Sequence, residues 1–228
     1  MTQLTLPLET KSLLDFAHFY AAENALSLAT LQHWPLSEWF IFLQGAEGSG
    51  KTHLAEALAG QMLAQGKKVL YLSAVHPAFY DSLAHLDFAD IVIIDHFEQL
   101  FPATPAQEQQ IFSFYNRCLE KKSPLLLLSR LKVPELPIQL RDLSSRLQNG
   151  LMLYLKPLRD SALQEVLNLH AQRLNLALSP EMRAYLLKYF PRSPKVLVAA
   201  LEKLAISSLQ DQRRLTLPYL KQILTVPA

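Results

Sequence analysis

The sequence predicts an α/β fold: a parallel sheet covered by helices on both faces, followed by a small C-terminal helical domain. Three observations carry this. Short unbroken apolar runs recur at 39–44 (WFIFLQ), 67–73 (KKVLYLS), 91–95 (IVIID) and 124–129 (PLLLLS). Segments of helical period separate them, and strands buried on both faces of a parallel sheet read as continuous apolar runs rather than as alternation. After Pro157 the strand patterning stops and helix signals follow one another.

The first run leads into a glycine-rich turn at 45–52. In HLAEALAGQMLAQG, Leu54, Leu58 and Met62 recur at a spacing of four, which places them on one helical face, and Gly66 is the expected stop. KKVLYLS and IVIID are the next two strands; QEQQIFSFYNRCLEK reads as a helix and PLLLLS as a further buried strand. Beyond them, SALQEVLNLHAQRL puts Leu163, Val166, Leu167, His170 and Leu174 on one face, with Ser161 and Gln164 spaced as a capping box. Ser179-Pro180 and Ser193-Pro194 each read as an N-cap followed by proline at the first helical position. The expected division is a short N-terminal segment at 1–10, an α/β domain at 11–158 and a helical domain at 159–228.

Composition narrows the class. Of 228 residues, 50% are hydrophobic and 18% charged, which fits a globular chain with a sizeable core and argues against disorder. A formal charge of +2 is too small for electrostatics alone to indicate nucleic-acid binding. Cys118 stands alone, so no intrachain disulfide can form and a reducing compartment is expected. The start lacks the pattern of a signal peptide, and no apolar stretch approaches the roughly 18 residues needed to span a bilayer. A cytoplasmic protein without membrane contact is the expectation. His33, His53, His76 and His85 lie in unlike contexts and suggest no metal spacing.

The turn carries chemistry. Gly45, Ala46, Glu47, Gly48, Ser49, Gly50, Lys51 and Thr52 (GAEGSGKT) match the P-loop pattern between a strand and a helix, and His53 continues that helix. Glycines let backbone amides turn toward phosphate oxygens, and the helix N-terminus adds positive potential. Lys51 would neutralise phosphate charge, and Thr52 would offer its hydroxyl to Mg2+. Asp95, closing an apolar strand, would hold the same ion. A glycine turn with an incidental lysine is the bland alternative; the flanking elements and the acidic strand end favour a nucleotide.

A second stretch is QLTLPL at the N-terminus. Leu4, Leu6 and Leu8 share one side of an extended segment, and Pro7 fixes its own φ and discourages helix. Three leucines at a terminus suit an edge strand or core plug, or a linear peptide that docks in a partner's apolar groove; docking is favoured.

Together, the P-loop, IVIIDH, DLSSRL at 142–147 and the helical C-terminal region resemble the AAA+ family. Within it they are similar to the branch of the bacterial replication initiator DnaA and its shorter regulatory relatives. DLSSRLQNG, LTLPYLKQIL at 215–224 and QLTLPL carry the narrower likeness, which covers essentially the whole chain. The resemblance implies an AAA+ nucleotide domain with a C-terminal lid holding ADP or ATP with Mg2+.

It further implies that Arg146 is an arginine finger reaching the γ-phosphate of a neighbouring protein; on its own the residue reads as a surface arginine paired with Asp142. QLTLPL is similar to the peptide by which replication proteins bind the DNA polymerase sliding clamp (the beta subunit). Gln3 would supply an orienting polar contact, and Leu4, Leu6, Pro7 and Leu8 would fill or shape the groove. Implied partners are therefore DnaA and the clamp, with DNA reached only through the clamp; a homodimer is among the assemblies the resemblance allows.

The chain also departs from the family's hydrolytic pattern. His96 stands where many AAA+ ATPases carry the carboxylate that activates water. The polar sensor falls at Arg130 or Ser129, and the lid's sensor arginine at Arg192, with Lys195 as the fallback. FAHFYAAENALSLA is a loose match to the adenine-side segment, with Asn24 its most recognisable residue. Weak self-hydrolysis is expected, with the bound nucleotide acting as a structural ligand. The implied role is negative regulation of replication initiation through hydrolysis of DnaA-bound ATP. The alternatives are a self-hydrolysing ATPase, such as a helicase or clamp loader, and a non-catalytic replisome adapter.

Overall fold

Parallel pairing of five strands organises the first part of the chain. The structure, a computed structural model, describes residues 14–34, 38–83, 89–159, 162–191 and 193–224. Gln3, Leu4, Leu6, Pro7, Leu8, His85, Ser161 and Arg192 lie outside the described residues. The strands are β1 (Phe40–Gly45), β2 (Val69–Ser73), β3 (Ile91–Asp95), β4 (Leu125–Ser129) and β5 (Leu151–Leu155), arranged in the order β2-β3-β4-β1-β5. Every pairing is parallel. Gln44 is opposite Ser129, Gly45 opposite Leu155 and Ser73 opposite Asp95, so the carboxyl ends of all five strands share one edge of the sheet.

The helices follow the apolar patterning. α1 (Ala25–Gln32) and α2 (Lys51–Ala64) contact each other and the sheet, burying Leu31, Leu54, Leu58 and Met62. α3 (Phe79–Leu83), α4 (Pro105–Glu120) and α5 (Arg141–Gln148) pack in a cluster with Phe40, Phe42, Val92, Ile94, Leu125 and Leu127. Sheet residues therefore alternate between two apolar environments, which is why β1, β3 and β4 read as unbroken apolar runs. α4 opens with a capping box: Gln107 N donates to Thr104 Oγ1, and Thr104 N donates to Gln107 Oε1. Gly66, at φ 73°, ends α2 in the left-handed region that glycine adopts without a Cβ penalty.

A further short apolar run at 151–155 (LMLYL) forms the fifth strand. β5 pairs only with β1 and lies at the sheet edge, so Met152 and Tyr154 are exposed while Leu153 and Leu155 are buried. Its burial alternates although all five residues are apolar.

The chain folds as two compact units. One comprises Glu23–Lys156 with the residues up to Phe16, the other Ala17–Ala22 with Pro157–Ala228. In the second unit, α6 (Leu163–Arg173), α7 (Pro180–Tyr189), α8 (Pro194–Gln210) and α9 (Leu217–Ile223) close around Leu163, Leu167, Leu186, Leu197, Leu201 and Leu220. Ser179 caps α7 by accepting from Met182 N at 3.3 Å, and Pro180 is its first residue. Ser193 holds the N-cap place of α8 without a side-chain bond, so the proline alone supplies the local signal there.

Gly150 approaches the core ring of Phe40 so closely that an added Cβ would run into it. Gly150→Ala is expected to cost about 1–3 kcal/mol, the range for overpacking a well-filled core. A denaturant titration of the variant should show a lower midpoint with an unchanged slope.

Candidate functional site

The turn between β1 and α2 is built for close backbone approach. Gly48 and Gly50 adopt φ of 74° and 96°, conformations that L side chains rarely enter. A Cβ on Gly45 would lie 2.6 Å from Ser49 Oγ and 2.8 Å from Leu155 O. Ser49 Oγ is buried without a hydrogen-bond partner. The Lys51 ammonium is also buried and donates to Gly45 O at 2.7 Å and Ala46 O at 3.0 Å. Burial pulls the lysine below its ordinary pKa, against the opposing field of Glu98 and Asp95. These features fit an oxyanion ligand: a glycine turn with room for close approach, an unpartnered hydroxyl and a cation held by backbone carbonyls.

Asp95 reaches the same turn from β3. It shares a side of the strand with Ile91 and Ile93, and Thr52, in the first turn of α2, donates to its Oδ2 at 2.7 Å. Tyr71, from β2, donates to that oxygen at 3.2 Å. Burial first, and then the Asp95 charge, push the Tyr71 phenol far above its usual pKa, so it stays a neutral donor. His96 N donates to Asp95 Oδ1 at 2.7 Å. Thr52 and Asp95 are thus paired as a ready hard-oxygen site for a divalent cation.

His96 is left-handed, at φ 59° and ψ 36°, and its ring Nδ1 lies 3.5 Å from Asp95 Oδ1. The backbone turn is followed by a 3-10 helix, Phe97–Leu100, that buries Glu98. Arg130, just past the end of β4, grips that carboxylate: Nε donates to Oε1 at 2.7 Å and the backbone N donates to Oε2 at 3.1 Å. Its Nη1 also lies 3.6 Å from Glu47 Oε2 on the P-loop. Burial alone would raise the Glu98 pKa, but its own backbone amide and the Arg130 bonds outweigh it and hold the carboxyl below the ordinary value. Ser129 Oγ is turned into its own loop, donating to Leu131 O and accepting from Leu131 N.

Two expected binding residues are otherwise engaged. A ring nitrogen of His53 lies 2.9 Å from Asp15 O, which leaves its backbone N–H in the first turn of α2 as the group available to a phosphate. Asn24, expected on the adenine side, donates to Lys156 O at 3.0 Å and accepts from Lys156 N at 2.8 Å. Its amide is a staple on the backbone just past β5, bonded to both the N–H and the C=O of one residue. Lys195 is exposed in the first turn of α8.

Arg146 lies elsewhere in the first unit, exposed in the last turn of α5. Among the described residues it forms no ion pair, so the expected partner Asp142 does not hold it. Its helix is fastened at both ends. The buried Glu108 of α4 accepts from Leu140 N at 2.6 Å and Gln139 N at 3.0 Å, and Tyr115 OH donates to Arg146 O at 3.2 Å. Leu143 and Leu147 anchor the inner face. Tyr71, Glu98 and Glu108 were not singled out from the sequence; an acidic residue inside an otherwise apolar or helical stretch is the only local signal any of them carries.

Comparison with known proteins agrees with this geometry. A family model described as "Novel STAND NTPase 3" matches residues 36–173, more than half of the chain, and one described as "Hda, lid domain" matches 160–224. The chain belongs to the P-loop NTPases of the first model. The second match covers the C-terminal helices, and solved structures share the fold. Domain III of the replication initiation protein DnaA from Thermotoga maritima superposes with a TM-score of 0.71 at 18% identity, over 92% of this chain and 95% of that one. AMPPCP-bound DnaA from Aquifex aeolicus gives 0.66 at 18% identity, over 86% of this chain and 66% of that one. The RuvB Holliday junction branch migration motor of Thermotoga maritima gives 0.58 at 18% identity, over 88% and 66%. The fold is that of DnaA domain III, and the chain's C-terminal residues 160–224 match the Hda lid. Among its described residues no helix is long and apolar enough to cross a membrane, and no cluster of three or more His, Cys, Asp or Glu is placed to hold a metal. A cation at Thr52 and Asp95 would therefore take its other ligands from phosphate oxygens and water.

Because the Glu98 carboxyl lies below its unfolded value, it stabilises this unit at neutral pH. That contribution is present above the unfolded pKa of about 4.5 and is lost as pH falls through the lower folded value. Glu98→Gln is expected to unfold at a lower temperature than the parent at pH 7, with the difference shrinking below pH 4.5; thermal melts across pH 3–7 check this.

Proposed function

We propose that this protein is a negative regulator of replication initiation that makes DnaA hydrolyse its bound ATP, with Arg146 as the finger supplied in trans. The observation that carries the reading is the placement of Arg146. It is an exposed guanidinium, without an ionic partner among the described residues, on a helix fastened at both ends by α4 within a DnaA-like AAA+ fold. Phosphoryl transfer spreads charge over the equatorial oxygens, and a planar fork of donors arriving from outside stabilises it. A fixed helix serves this role because a finger must arrive preoriented.

The protein's own P-loop is read as holding ADP or ATP. Gly45, Ala46, Glu47, Gly48, Ser49 and Gly50 form the cradle, Lys51 meets the phosphates, and Thr52 with Asp95 would hold Mg2+, whose charge screens the phosphate oxygens when bound. The AMPPCP found in DnaA structures of this fold supports that reading. Arg192 or Lys195 would meet the nucleotide from the lid. The N-terminal Gln3, Leu4, Leu6, Pro7 and Leu8 would dock on the DNA-loaded sliding clamp and so confine the activity to replicating DNA. The cytoplasm is where such partners meet, and a homodimer would be a resting form.

Arg146→Ala should bind nucleotide and clamp as the parent does, yet its stimulation of DnaA ATP hydrolysis should drop by about 10³-fold or more, the lower end of what such fingers contribute. Full stimulation by this variant in a labelled-ATP assay with DnaA and DNA-loaded clamp would overturn the proposal. Gln3→Ala combined with Leu4→Ala should abolish clamp binding in a pull-down with an unchanged melting temperature; normal clamp capture would remove the docking role.

A further inference from the structure

We propose that Glu98, not the residue following Asp95, is the water-activating carboxylate of this protein's own nucleotide site, and that Arg130 restrains it. The proposal rests on the reading that the P-loop holds ATP. Its subject is self-hydrolysis, which neither Arg146 nor the clamp segment touches.

The geometry begins at His96. Its left-handed backbone turns the chain at the end of β3, and the 3-10 helix that follows carries Glu98 into the interior. Asp95 is occupied by Thr52, Tyr71 and the His96 amide, and stands as the cation ligand. Glu98 is the second carboxylate of the site. Of the charges acting on Lys51 it is the strongest, ahead of Asp95, Arg130 and Glu47.

Arg130 occupies that carboxylate through its backbone N and its Nε. The Glu98 side chain is 4% exposed, whereas that of Arg130 is 42% exposed. The far end of the arginine reaches only the Glu47 side chain, 79% exposed, at 3.6 Å. The carboxylate is therefore the fixed partner and the arginine the one with room to leave. While the pair stands, both Glu98 oxygens accept hydrogen bonds and the group is a weak base. With the arginine side chain removed, Oε1 loses its donor and the carboxylate its neighbouring charge; two backbone amides remain, and burial pulls its basicity upward.

The step is hydrolysis. A water oxygen forms a bond to the γ-phosphorus as the bridging bond between the β- and γ-phosphates breaks, and ADP leaves with that electron pair. The proton lost by the water moves to Glu98 Oε1 or Oε2 and returns to solvent when phosphate departs.

The test uses the full chain alone, without DnaA or clamp, with Mg2+ and γ-labelled ATP under single-turnover conditions, and fluorescent ATP to measure binding separately. Arg130→Ala should hydrolyse at least about 10-fold faster than the parent, a modest share of what a positioned base contributes. Arg130→Lys, which keeps the positive charge, should remain slow. The double variant Arg130→Ala with Glu98→Gln should return to the parent rate or below. Carbon-13 NMR of the Glu98 carboxyl should titrate at higher pH in Arg130→Ala than in the parent, a change that loss of a merely structural contact elsewhere would not produce.

An Arg130→Ala protein that binds ATP yet turns over no faster would overturn the proposal. So would an accelerated rate that survives Glu98→Gln. Should Arg130→Ala fail to fold, Glu98→Gln in the parent background decides, because its residual turnover must fall below the parent's. Absence of ATP binding in the parent itself would defeat the underlying nucleotide reading, whereas normal binding with unchanged rates defeats only this inference.

Discussion

The hydrogen bond from Thr52 to Asp95 joins positions 43 residues apart, and the geometry of the nucleotide site depends on it. It forms because β1 and β3 run parallel with β4 between them, so the P-loop and Asp95 emerge on one edge of the sheet. A carboxylate buried at that edge would be costly without partners. Thr52, Tyr71 and the His96 amide provide them from three different elements. The same edge delivers Ser129 and Arg130 from β4. Strand order thus determines which side chains can meet, and ligand sites in open parallel sheets fall at this position for that reason.

Charges at the edge alternate and are unequally buried. Lys51 and Glu98 are held inside, and Arg130 straddles the boundary toward the exposed Glu47. The lysine is satisfied by two carbonyls of its own loop, whose bonds an arriving oxyanion would replace with stronger charge-assisted ones. Ser49 Oγ gains even more from such a ligand, because it has no protein partner to give up.

Legibility from sequence followed contact distance. The P-loop could be read outright, since its glycines, lysine and threonine act within eight consecutive residues. Asp95 was legible because an acid closing an apolar strand has few other reasons to be there. Arg146 was legible only through its likeness to a family segment; nothing local separates it from any surface arginine. Glu98 and Glu108 were missed because their partners, Arg130 and Leu140, are each 32 residues away. Tyr71 looked like a strand aromatic until β2 was seen beside β3. β5 was not singled out although its five residues, LMLYL, are all apolar; it sits just ahead of the helical region. Asn24 has a structural task that the sequence did not signal, since its partner Lys156 is 132 residues away.

Arg130 and Arg146 show two ways in which one fold holds a guanidinium. A guanidinium paired with a buried carboxylate is expensive to withdraw, because separation strands a charge in a poor solvent. A guanidinium on an exposed helix end has no such tie, and the backbone beneath it supplies the order that an ion pair would otherwise supply. Glu108 and Tyr115 fix the α5 backbone at each end and leave the Arg146 side chain uncommitted. Lysine at 146 would lack the planar fork that suits a phosphoryl group. Two arginines of identical chemistry therefore differ in what they are free to do, and burial of the partner carboxylate is what separates them.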